Sequence, residues 1–142
     1  EAIASNQGGD MIKNSIPQAQ IDFLRKLKKV LEKSGTPLIV VISGGCPVQL
    51  TEIKELADAL ILAWYPGEAG GYAVADIILG NENPSGRLPV TFVKDVNDLP
   101  PFEDYSMKGR TYKYMTKEPY IISVMDYPTA ISNIRTLRCN KK

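Results

Sequence analysis

Chemistry in this chain has to be done without imidazole, because the sequence contains no histidine. That removes Ser-His-Asp and Cys-His nucleophiles and the common zinc sites together. The two cysteines, Cys46 and Cys139, are too far apart in sequence to suggest a ligand set. Carboxylates, tyrosine, lysine, serine or a borrowed group remain, and no cofactor or metal is expected. Trp64-Tyr65 places two adjacent rings at the end of an apolar run, where they read either as a stacking platform for a sugar ring or as a core tryptophan capping a sheet. Gly67-x-x-Gly70-Gly71 would present amides at a helix N-terminus. Its spacing fits neither G-x-x-x-x-G-K-[ST] nor G-x-G-x-x-G, so a tight turn competes with anion binding. Residues 104–114 interleave aromatics with cations; Tyr105 and Arg110 are the candidate sugar contacts there, against a plain surface hairpin. Glu52, Glu55, Asp58 and Glu82 lack the spacing of a carboxylate pair and read as solvated surface charges.

The elements that must hold these residues are legible from periodicity. Ile21, Leu24, Leu27, Val30 and Leu31 recur at three and four residues from Pro17 onward, with basic residues between them, which predicts an amphipathic helix ended by Gly35. Residues 38–43 are apolar without alternation, the pattern of a parallel strand covered on both faces and central in its sheet. Residues 48–56 predict a short strand or helix, and residues 59–64 a second buried strand. Residues 72–79 predict an apolar helix closed by Gly80. Residues 88–92 predict a third strand, confined to an edge by Pro89. Alternating strands and helices imply a mostly parallel sheet, with ligands taken beyond the strands' carboxyl ends, near residues 44–46 and 65–67.

At 142 residues one domain with a substantial core is expected. Seventeen basic against 16 acidic side chains, a net charge of +1, give no field to recruit phosphate backbones or anionic lipid. No apolar stretch approaches the roughly 20 residues of a membrane span. Neither nucleic acid nor membrane is an expected partner.

Several motifs, taken in order, carry a family resemblance. They are Pro17-Gln18-x-Gln20, Gly35-Thr36-Pro37-Leu38-Ile39-Val40-Val41, Gly44-Gly45-x-Pro47-Val48, Ala63-Trp64-Tyr65-Pro66-Gly67, Asn83-Pro84-Ser85-Gly86-Arg87-Leu88-Pro89 and Asp104-Tyr105-Ser106-Met107-Lys108-Gly109-Arg110. Over about residues 8–118 the chain resembles the C-terminal domain of family 3 glycoside hydrolases, in its β-xylosidase-type branch.

The resemblance implies an α/β fold, a three-layer sandwich with a mostly parallel, flavodoxin-like central sheet. Residues 1–16 become the entry loop from a (β/α)8 barrel that this chain lacks, residues 17–118 the domain itself, and residues 119–142 a tail unlike the family. The implied activity is retaining, exo-acting hydrolysis of β-glycosides in plant-derived oligosaccharides, by a nucleophile and an acid/base carboxyl about 5 Å apart. The nucleophilic aspartate belongs to the barrel. The resemblance places the acid/base glutamate in the loop just before the Gly-Gly-Asp segment, here Gly8 to Asp10, where Glu1 is the one acidic residue upstream and so the candidate; Trp64, Tyr65, Tyr105 and Arg110 are the candidate substrate contacts. A periplasmic or secreted location is implied, and the isolated chain is expected to be inactive. The competing readings are a non-catalytic carbohydrate-binding module and a flavodoxin-like anion-binding domain.

After Glu118-Pro119 the family would continue with Leu-Tyr-x-Phe-Gly-Tyr-Gly-Leu-Ser-Tyr, whereas this chain reads Tyr120-Ile121-Ile122-Ser123-Val124-Met125-Asp126-Tyr127-Pro128-Thr129. One DNA string encodes both. TTA TAT CAT TTC GGT TAT GGA TTA TCC TAC gives the family-like sequence, and deleting its first T gives the observed one. A one-nucleotide frameshift near Pro119 is therefore expected.

Overall fold

The computed structural model describes residues 15–101, 103, 104, 106, 108, 114–117 and 130–132. Helix α1 (Gln18–Ser34) follows Pro17, which sits at the N-cap just before the first turn. Ile21 is buried and Leu24, Leu27 and Leu31 are half-buried, so the inward stripe forms as its spacing predicts. Val30 departs from it and faces solvent, as does Phe23. Gly35 stops the helix at φ 63°, a left-handed position in which glycine avoids the steric cost of a Cβ. The amides of Gly35 and Thr36 return to the carbonyls of Glu32 and Leu31.

Strand β1 (Ile39–Ser43), helix α2 (Thr51–Leu56) and strand β2 (Ala59–Trp64) form a β-α-β unit with the strands parallel, Ile39 opposite Ala59 and Ile42 opposite Leu62. Helix α3 (Gly70–Leu79) follows and ends at Gly80, φ 76°. A 3-10 turn (Val96–Asp98) and strand β3 (Ala130–Ser132) complete the described elements. β3 pairs antiparallel with β2, giving the order β1-β2-β3. No helix among the described residues is long and apolar enough to cross a membrane.

The core lies between one face of the sheet and α1 and α2. Ile21, Leu50, Ile53, Leu60, Leu62, Leu88 and Phe92 form it, with Val40 and Ile42 packed alongside. Leu50, Ile53 and Leu88 are at most 2% exposed, and each such burial favours folding by about 1.5–3 kcal/mol relative to exposure.

Two expectations are corrected. Among the described residues β2, not β1, is the central strand, and Val41 on β1 is 40% exposed. An unbroken apolar run reports that a strand is made for cover, not which segment supplies it. Residues 88–92 form no strand; Arg87 and Phe92 make isolated bridges, with a bend at Pro89 and Val90 between them. Pro89 has no N–H to extend a ladder, so the chain turns and delivers Leu88 and Phe92 to the core instead.

Asp58, read from sequence as a solvated charge, clamps the starts of the parallel strands. Its Oδ2 accepts the Leu38 amide at 2.7 Å, its own amide donates to the Leu38 carbonyl at 2.8 Å, and Lys28 Nζ of α1 lies 2.8 Å from both carboxylate oxygens. The Leu38 amide first, and then the Lys28 ammonium, hold this carboxyl below its usual range. A lowered pKa means stability present above the unfolded-state value, about 3.9, and lost as pH falls through the folded value. Asp58→Asn keeps an acceptor and removes the charge. It is expected to cost about 1 kcal/mol at pH 7, since the site is partly solvated, and the gap from the parent chain should close below about pH 4. Urea midpoints of both proteins from pH 7 to pH 3 test this; a constant gap across that range would disprove the charge role. Glu52 is likewise paired, with Arg25 of α1.

Candidate functional site

The strand ends bring together the two loops that the fold makes available to a ligand. Along β2, Leu60 and Leu62 point into the core, and two-residue alternation carries Trp64 to the same side. Its ring packs against Phe92, with centroids 6.2 Å apart and planes tilted by 57°. The register slips here: Ile42 faces Leu62, yet Ser43 faces Trp64, leaving Ala63 as an extra residue. Trp64 itself takes φ 53°, a left-handed conformation costing a non-glycine residue about 1–3 kcal/mol. The surroundings hold it there. Its carbonyl accepts the Gly44 amide at 3.1 Å and the Ser43 hydroxyl at 2.7 Å.

Tyr65 emerges on the other side of this kink, 69% exposed. Its ring lies directly over Gly45, where a Cβ would stand 2.7 Å from Tyr65 Oη and 2.8 Å from Cζ. Gly45 is thus the seat of the ring, a role that no motif marks in the sequence. Beyond Tyr65, Gly67 turns the chain at φ 69° and its carbonyl accepts the Gly70 amide at 3.2 Å. Gly70 is buried against Pro66, where a Cβ would come within 2.7 Å of Cγ. These glycines are therefore committed to the turn and to close packing.

The structure thus separates the two aromatics: Trp64 anchors the loop from inside and Tyr65 offers a ring face outside. β2 ends at Trp64, and it is the register slip with the left-handed turn at Trp64 that divides the two roles. Asp58 precedes β2 and so lies at the opposite end of the strands from Tyr65. Asp98 is bound to Lys117 at 2.6 Å, whose ammonium holds its carboxyl below the usual range. The candidates Glu1, Tyr105 and Arg110 lie outside the described residues. What the described arrangement can do is stack an apolar ring face on Tyr65 at the mouth of the sheet.

Against known sequences, the profile of the glycosyl hydrolase family 3 C-terminal domain matches residues 2–131. The chain belongs to this family. Family 3 relatives include a xylan 1,4-beta-xylosidase of Xylanibacter ruminicola, 46% identical over 108 residues, which are 76% of this chain and 12% of that protein. A periplasmic beta-glucosidase of Salmonella typhimurium is 38% identical over 69% of this chain and 12% of its own length. The chain thus spans about an eighth of these curated relatives. Among solved structures, beta-glucosidase 3B from Thermotoga neapolitana in complex with glucose is 32% identical, with TM-score 0.59 over 61% of this chain and 12% of that one. A beta-glucosidase from Listeria innocua, 24% identical, shares the fold with TM-score 0.60 over 88% of this chain and 17% of its own. The family 3 C-terminal assignment and the α/β sandwich agree with the expectation from the motifs.

Proposed function

We propose that this family 3 domain is part of a retaining, exo-acting β-glycosidase of β-xylosidase or β-glucosidase type, acting on O-glycosyl bonds of plant-derived oligosaccharides, and that it forms one wall of the sugar site. The observation that carries the reading is the exposed Tyr65 ring, seated on Gly45 at the carboxyl ends of β1 and β2, in a chain whose relatives are named for xylosidase and glucosidase activity. A (β/α)8 barrel in the same longer polypeptide supplies the nucleophilic aspartate, which attacks the anomeric carbon and forms a glycosyl-enzyme. Glu1 protonates the departing oxygen and then deprotonates the water that releases the sugar. Tyr65, with Tyr105 and Arg110, faces the substrate, and Trp64 holds the Tyr65 loop in place. The location is periplasmic or secreted, in line with the Salmonella relative's name.

The test uses the longer product of the gene. Tyr65→Ala is expected to raise KM for an aryl xyloside or glucoside about tenfold with kcat little changed, the loss of roughly 1.4 kcal/mol of stacking. Unchanged KM would remove Tyr65 from the site. Absence of hydrolysis by the longer product would remove the glycosidase reading and favour a carbohydrate-binding module, for which the exposed ring also speaks.

The frameshift in residues 119–142 belongs to the same proposal. Sequencing the coding DNA should show Gly-Tyr-Gly-Leu-Ser-Tyr in the neighbouring frame just after the Pro119 codon; any other peptide there disproves it.

A further inference from the structure

Two residues at the carboxyl end of β1 govern where the Tyr65 ring stands. The first is Gly45. Unlike Gly35, Gly67 and Gly80, it does not take a left-handed φ, so its backbone admits any L residue. What the position lacks is room for a side chain, because a Cβ there would meet Cε2, Cζ and Oη of Tyr65. Those atoms are the tip of an exposed side chain, which can swing into solvent. Alanine at position 45 would therefore leave the fold intact and turn the ring away.

The second is Ser43. Its hydroxyl donates to the Trp64 carbonyl at 2.7 Å, beside the Gly44 amide at 3.1 Å. That carbonyl is one end of the planar peptide joining Trp64 to Tyr65, so the two donors fix the plane from which Tyr65 departs. The side-chain donor matters because Trp64 holds a left-handed φ of 53°, whose strain is of the same order as one hydrogen bond. Ser43 is exposed, and replacing it opens no cavity in the core.

We propose that Ser43 and Gly45 are positioning residues of the sugar site. Ser43 pins the Trp64–Tyr65 peptide, Gly45 leaves the space into which the ring settles, and together they set the angle at which Tyr65 meets a pyranose. The proposal rests on the reading of Tyr65 as a sugar contact, and both residues act through the ring.

Kinetics of the longer gene product on an aryl xyloside or glucoside test the coupling. Gly45→Ala is expected to raise KM about tenfold with kcat and the urea midpoint little changed, as Tyr65→Ala does, and the double variant should be no worse than either alone. Ser43→Ala should raise KM about threefold, and Ser43→Thr, which keeps the hydroxyl, should restore it. A purely structural role would lower the midpoint and show no dependence on Tyr65. Effects that add in the double variant, or a Ser43→Thr no better than Ser43→Ala, overturn the proposal.

Placement of the ring is read without substrate in the 142-residue chain. In its NMR spectrum the Tyr65 ring should displace the Gly45 α-proton resonances from the values they take in Tyr65→Ala. Ser43→Ala should lose most of that displacement and Ser43→Thr keep it. Indifference to Ser43→Ala overturns the proposal whatever the kinetics. A displacement that follows Ser43 beside an unchanged KM in Tyr65→Ala supports the aiming of the ring and removes only its role as a sugar contact.

Discussion

The purified 142-residue chain is expected to release no measurable nitrophenol from nitrophenyl β-xyloside or β-glucoside under conditions where its longer gene product turns over. Retaining hydrolysis needs two carboxyl groups about 5 Å apart, and one without the other cannot form and then resolve a covalent glycosyl-enzyme. Losing one member of such a catalytic set commonly lowers kcat by about 10⁴-fold or more. The family resemblance assigns the nucleophile to a barrel, and this chain spans 12% of the curated relatives named above. Two of the acidic groups that the structure describes are held in ion pairs. Asp58 is tied to Lys28 and the Leu38 amide at the far end of the strands, and Asp98 is tied to Lys117. Turnover within tenfold of the longer product would show that the chain carries its own nucleophile and would sink the two-domain mechanism. The comparison is informative because the same preparation can be checked for folding by its single tryptophan.

That tryptophan is the reporter for the second large effect. Phe92→Ala is expected to destabilise the domain by about 3–5 kcal/mol, the range for removing a buried aromatic ring, against a total stability on the order of 5–15 kcal/mol. Phe92 is 2% exposed, belongs to the core cluster and packs directly on Trp64. Its removal opens a cavity beside the residue whose left-handed conformation is kept in place by that packing and by two hydrogen bonds to its carbonyl. Trp64 emission should therefore shift to longer wavelength in native buffer, and the urea midpoint should fall steeply. Phe92→Leu, which keeps most of the volume, should lose about 1 kcal/mol and shift the emission less. An unchanged midpoint and spectrum in Phe92→Ala would mean that the ring contact does not anchor the loop.

Much of this architecture is readable from residue types because local physics decides it. The stripe on α1, the left-handed stops at Gly35 and Gly80 and the buried run of β2 each depend on a few neighbouring residues. What was not readable depends on partners distant in sequence. Lys28 and Asp58 are thirty residues apart, and only the pairing of Ile39 with Ala59 shows that Leu38 and Asp58 stand side by side. The place of β1 in the sheet depends on its neighbours, which an apolar run does not name. Residues 88–92 had the composition of a strand, but Pro89 lets the segment bury Leu88 and Phe92 without a ladder. At the candidate site, Trp64 and Tyr65 were legible as a pair of rings and illegible as a pair of roles, because the slip at Ala63 is a property of the two strands together.

That slip has a consequence for how such a site can diversify. One supernumerary residue, Ala63, lets a rigid anchor and a solvent-facing ring occupy consecutive positions. Position 64 answers to the interior and position 65 to whatever approaches from outside. A gene in this lineage can thus exchange the outer side chain while the inner ring keeps its packing on Phe92, as a craftsman changes the bit and keeps the handle.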